Sequence, residues 1–136
     1  MYSVDIAQLV CAALEESGCE QSHIDKLDSH STIALDLHDL PSIHVSVQDD
    51  NDVWLWSLLG EHSEVLLDQR GSELLKALLQ GCPFTRSGQL QLAVQDGELV
   101  LKALVHPNYL KDGREFSEAL NGFFDELDRF CGSLLR

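Results

Sequence analysis

The sequence predicts an α+β domain, with helices packed on an antiparallel sheet in the order α-βββ-α-ββ-α. Three observations point to it. Apolar residues recur at helical spacing in three separate stretches, and they alternate with polar residues at period two in the segments between. An Asp-Gly pair, the strongest short hairpin signal, joins two of the alternating runs. No repeat, linker or low-complexity tract interrupts the order, so residues 1–136 read as one domain, long enough to bury roughly two-thirds of its unfolded surface.

The first helix is expected over residues 3 to 17, where Val4 or Ile6, Leu9, Val10, Ala13 and Leu14 form one stripe and Gly18 stands ready to end it. From Ser31 the period becomes two: Ile33, Leu35 and Leu37 alternate with polar or small residues, as do Ile43, Val45 and Val47 after the Leu40-Pro41 turn. A third strand over Val53–Leu59 is apolar on both faces. If residues 49 to 52 form the turn before it, Val47 opposes Trp54 and Val45 opposes Trp56. The tryptophans then join the core face, and Val53 and Leu55 lie on the other; a bulge would reverse this.

Ser63 offers an N-cap to the second helix, whose Leu66, Leu67, Leu74, Leu75, Leu78 and Leu79 spread over more than half its circumference before Gly81. One face cannot bury them all, so this helix is expected to serve its own core and another chain. Gly71 in mid-helix would allow a close approach despite costing about 1 kcal/mol relative to alanine. Leu90, Leu92 and Val94 then mirror Leu99, Leu101 and Ala103 across Asp96-Gly97. After His106-Pro107, a strongly amphipathic third helix carries Phe116, Leu120, Phe123, Phe124, Leu127, Phe130 and Leu134.

Composition excludes several partners. The formal net charge is -14, which disfavours nucleic acid and anionic lipid. The charge is lopsided: residues 1–69 hold fourteen acids against Lys26 alone, while residues 70–136 hold nine acids and eight bases. Such a field raises encounter rates with a basic segment and keeps the chain soluble. No stretch approaches the ~20 apolar residues a membrane helix needs, and Met1, Tyr2, Ser3, Val4 and Asp5 do not start a Sec signal peptide, so a cytoplasmic location is expected. Cys11, Cys19, Cys82 and Cys131 form no C-x-x-C pair and read as reduced thiols buried as small hydrophobes.

The motifs point away from catalysis. Asp28, Ser29, His30 and Ser31 are neighbours in sequence, whereas a triad needs convergent groups from separate elements. His23, His30, His38, His44, His62 and His106 show no metal-ligand spacing on a helix, although His38 and His44 could meet across a hairpin. Asp49, Asp50 and Asp52 lack the glycine and distal glutamate of a calcium loop, and no phosphate-binding glycine pattern occurs. No cofactor, metal or enzymatic activity is expected. What remains is interaction chemistry, with a sheet edge to which a partner segment can add as a strand.

The whole chain resembles the invasion protein B and surface presentation of antigens protein K family, the class IB type III secretion chaperones. The resemblance rests on Asp5–Val10, on Leu27–Thr32, on Leu40–Ile43, on the Asp-rich turn before Val53, Trp54 and Trp56, and on Gly88, Gln89 and Leu90. Its most specific stretch is Leu101–Pro107 followed by Asp112, Gly113, Phe116, Ser117, Ala119, Leu120, Asn121, Gly122 and Phe123. It implies a homodimer of three-helix, five-strand chains. That dimer would hold the N-terminal region of several secreted effectors extended and present it to the export ATPase, without turnover of its own.

The family supplies no invariant binding motif, so candidate contacts come from the residues. Leu35, Leu37, Ile43, Val45, Trp54 and Leu55 are assigned to the effector segment, and Leu74, Leu75, Leu78 and Leu79 to the dimer. On this assignment Leu55→Glu spares the fold and weakens effector capture. The competing reading is a cytosolic adaptor or regulatory dimer that binds one folded partner through a preformed interface.

Overall fold

The computed structural model describes residues 6–16, 32–37, 39–49 and 51–134. Its elements are α1 (Ile6–Glu16), β1 (Ile33–Leu35), β2 (Ile43–Gln48), β3 (Asp52–Glu61), α2 (Glu64–Leu79), β4 (Gln91–Gln95), β5 (Glu98–Leu104) and α3 (Gly113–Arg129). A 3-10 turn at Pro107–Tyr109 precedes α3, and a π-helical turn at Phe130–Leu134 follows it. The strands form one antiparallel sheet in the order β1-β2-β3-β5-β4. The order of elements is the predicted one; Val4, Gly18 and the Asp28–Ser31 stretch lie outside the described residues.

The sheet register corrects one expectation. The β2–β3 turn spans three residues, so Val47 pairs with Val53, Val45 with Leu55, Ser46 with Trp54 and His44 with Trp56. Asp49 takes a positive φ of 51°, a conformation Asp tolerates, and its carbonyl accepts the Asn51 N–H at 2.8 Å. Because side chains alternate with period two, the one-residue difference exchanges the faces. Val53 and Leu55 are fully buried, and the tryptophans lie on the opposite face.

The second hairpin follows its sequence signal. Asp96 and Gly97 both take positive φ, 53° and 81°, as a two-residue type I′ turn requires, and Val94 pairs with Leu99 and Leu92 with Leu101. Leu101, Ala103 and Val105 continue the buried row begun by Ile33, Ile43, Val45, Val53 and Leu55.

Helices α1 and α3 pack on each other and on this row. Ile6, Val10 and Ala13 from α1 meet Phe116, Ala119, Leu120, Phe123, Leu127 and Phe130 in one core. Asp112 caps α3 by accepting the Glu115 N–H at 2.9 Å. The helices approach so closely at Gly113 that a β-carbon there would overlap the Ala12 β-carbon and lie 2.7 Å from its carbonyl carbon. At Gly122 the Phe84 ring fills the same role, 2.8 Å from where a β-carbon would stand.

Helix α2 is held differently. Ser63 caps it by accepting the Leu66 N–H at 3.1 Å, and Gly81 follows its end at φ 83°. Only Leu74 and Ala77 are buried along it, and it touches the chain's own core chiefly at the π-helical turn after α3. Gly71 has open space where a side chain would stand, so no contact within the chain requires it.

These contacts set a stability order. Gly113→Ala must separate two backbones and is expected to cost about 1–3 kcal/mol, whereas Gly122→Ala meets a ring edge that can tilt and is expected to cost less. Urea denaturation of the two variants checks the order.

Candidate protein-binding surfaces

The exchange of faces turns one side of the sheet away from the core that α1 and α3 cover. This open face carries His44 and Ser46 from β2, Trp54, Trp56 and Leu58 from β3, and Lys102 and Leu104 from β5. Cross-strand pairing sets Trp56 between His44 and Lys102, and Trp54 between Ser46 and Leu104. Both tryptophans, His44, Lys102 and Leu104 are half-buried, and Leu58 is exposed.

Specific contacts fix the rings. The His44 imidazole stacks on Trp56 with centroids 4.1 Å apart and planes 17° apart. The Trp56 indole N–H donates to Ser46 Oγ at 2.9 Å, and Ser46 Oγ also lies 3.1 Å from Thr32 Oγ1. Lys102 Nζ sits 4.6 Å from the Trp54 ring centroid, a cation–π distance. At one end of the face Arg86 pairs with Asp52 at 2.9 Å. Burial lowers the His44 pKa below its ordinary value of 6.5, and nearby Asp36 only partly opposes this, so the stacked ring is neutral at physiological pH.

The second surface is the outer side of α2. Leu67, Gly71, Leu75 and Leu79 recur every four residues, and the three leucines are 42%, 57% and 64% exposed. Val65, in the first turn of α2, is also 61% exposed. Such a stripe of large apolar residues on one helix marks an interaction surface more than a solvated one.

The sequence-derived contact residues divide between core and surface. Ile43, Val45 and Leu55 lie in the core beneath α1 and α3, where no partner reaches them. Leu35, at the end of the edge strand β1, and Leu37, just beyond it, are half-buried and pack against the core, and Trp54 is on the open face. Of the four leucines of α2, Leu74 is buried and Leu78 packs partly against the core, leaving Leu75 and Leu79 outside. Sequence reasoning missed His44, Trp56, Leu58 and Lys102 on the open face; a three-residue turn would have placed all four there. His38, and with it a meeting of His38 and His44, falls outside the described residues.

The cysteines within the described residues sit partly or wholly inside. Cys82 is buried, and burial with Glu126 nearby pushes its thiol up to about 11, which keeps it protonated. Among the described residues no group of three or more His, Cys, Asp or Glu is placed to hold a metal ion. No helix among them is long and apolar enough to cross a membrane.

Comparison with known proteins places this geometry in context. Residues 18–96 match the model of the Invasion protein B family. The chain is 57% identical over 136 residues, the full length of both, to surface presentation of antigens protein SpaK of Salmonella typhimurium and of Salmonella typhi. Solved structures share its fold. A chain of the ExsC-ExsE complex aligns with TM-score 0.67 at 13% identity, covering 99% of this chain and 98% of that one. The Yersinia pestis type III secretion chaperone SycH, in complex with a fragment of YscM2, aligns with TM-score 0.58 at 15% identity over 89% and 95%. The heterodimeric ExoU-SpcU complex of the Pseudomonas aeruginosa type III secretion system aligns with TM-score 0.56 at 22% identity over 93% and 94%.

Two outcomes follow from the faces. Leu55→Glu is expected to unfold the chain rather than spare it, because an uncompensated buried charge costs about 3 kcal/mol or more, whereas Leu58→Glu keeps native circular dichroism. The lowered His44 pKa means the unfolded chain binds the proton more readily. Its contribution to stability is therefore intact above pH 6.5 and declines as the pH falls below that value. Thermal melts across that range are expected to show a smaller acid loss for His44→Gln than for the natural sequence.

Proposed function

Because the chain belongs to the invasion protein B family, we propose that it is a type III secretion chaperone that binds the N-terminal region of secreted effectors and keeps it extended for export. The observation that carries this reading is the aromatic face of the sheet, turned away from α1 and α3, which presents Trp54, Trp56, Leu58 and Leu104 together. An unfolded segment loses conformational entropy on binding and needs such breadth for affinity. The segment adds as a strand beside β1, near Leu35 and Leu37, and continues over Trp54 and Trp56. All three solved structures that share the fold, those containing SpcU, ExsC and SycH, are complexes with a partner protein.

In this reading the chain is a homodimer, with α2 as its interface. The four-residue spacing of Leu67, Gly71, Leu75 and Leu79 suits ridge-into-groove packing against the same stripe of a second copy, and Gly71 lets the two backbones approach. Delivery to the export apparatus, including its ATPase, follows without hydrolysis by the chaperone. The chain acts in the cytoplasm and needs no cofactor.

Co-expression with an N-terminal effector fragment, followed by native mass spectrometry, tests the proposal. Two copies of the chain with one fragment that is protease-sensitive alone is the expected result. A dimer that ignores every such fragment and captures one folded cytosolic protein would instead make it an adaptor. Leu75→Glu is expected to yield a folded monomer by sedimentation; an unchanged dimer would remove α2 from the interface.

A further inference from the structure

The charge on the open face runs against the charge of the molecule. The chain carries -14 overall, yet beside the two tryptophans this face presents a lysine, Lys102 of β5, flanked by Trp56 across one strand pair and by Gln91 of the edge strand β4 across the other. Its ammonium lies over the Trp54 ring, and no carboxylate among the described residues pairs with it. The other charged groups on this side are occupied or distant. Asp52 is paired with Arg86, Asp36 accepts the Ser42 hydroxyl at 2.8 Å, and Glu98, with Glu61 across from it, stands four residues along β5, roughly 13 Å away. That separation exceeds the screening length of about 8 Å at physiological ionic strength.

A cation held over an indole keeps its outer hydrogens for an acceptor, and covering the face with apolar side chains removes the water that now solvates it. A docked segment that offers only apolar groups would strand that charge. One that brings a carboxylate would pair it, on a surface where Trp54, Trp56, Leu58 and Leu104 accept the flanking apolar residues.

We infer that the open face selects peptide segments in which an Asp or Glu stands beside apolar or aromatic residues, and that Lys102 reads the carboxylate. This rests on the chaperone reading and names the chemistry it prefers in a bound segment. The preference is local, and it opposes the long-range field, which favours basic segments at encounter.

Panning a random-peptide library against the natural chain and against Lys102→Met, which keeps the stem over Trp54 and removes the charge, tests the inference. Native circular dichroism of the variant is checked first. Acidic-apolar sequences enriched on the natural chain and absent on Lys102→Met are expected, and changing the acid of a winning peptide to its amide should weaken binding about fivefold to the natural chain only. Equal acidic enrichment on both proteins, or basic sequences on the natural chain, overturns the inference and leaves the chaperone reading standing. Failure to enrich any peptide, while effector fragments still copurify, removes the face as a docking site and overturns it too. A Lys102→Glu chain that loses its dimer by sedimentation assigns the face to a second copy and likewise overturns the inference.

Discussion

The three-residue turn between β2 and β3 decides which side of the sheet is the core. Strand side chains alternate with period two, so the parity of a hairpin turn determines which row of each strand shares a face with which row of its neighbour. With Asp49 in a left-handed conformation and Gln48 paired to Asp52, Val45 and Leu55 fall together beneath the helices. One more residue in the turn would have put Val45 beside Trp56. The buried row is then all aliphatic apart from Ser57, whose hydroxyl donates to the Ser42 carbonyl at 2.9 Å. The rings are left outside, with a histidine, a serine and a lysine to hold them.

Close helix packing gives that aliphatic row its cover. Helix α1 can lie against the start of α3 because residue 113 has no side chain, and Phe84 can reach the middle of α3 because residue 122 has none. Several residues that carry the family resemblance acquire physical roles in this arrangement. Asp112 caps α3, Gly113 and Gly122 make room, Phe116 and Phe123 fill the centre, and His106 accepts the Asn108 N–H to start the turn that leads into the helix. They specify a scaffold, and the proposed binding surfaces lie elsewhere, on the far face of the sheet and on α2.

Element order, the Asp96-Gly97 hairpin and the amphipathic third helix were legible because each depends on local periodicity or on a turn with strict backbone demands. The leucine surplus of α2 was legible for the same reason, and Leu75 and Leu79 are indeed exposed. The face of β3 was not, because Val53 to Leu59 is apolar on both sides and offers no polar row to orient it. There the register rested on counting turn residues in an acidic stretch, where composition does not separate three from four. The same ambiguity hid Lys102, since a lysine in a strand reads as solvent-facing until the tryptophans are known to share its side.

A chaperone working in this way keeps its aromatic face free when unliganded and covers it in the complex. Both tryptophans of the chain lie on that face, so every indole reports on it. The most direct measurement is acrylamide quenching of their fluorescence, before and after saturation with an effector fragment that contains no tryptophan. Quenching that is substantial in the free chain and falls sharply in the complex is the expected result. Quenching that stays the same while the complex forms would place the bound segment on another surface and contradict the proposed role of the face.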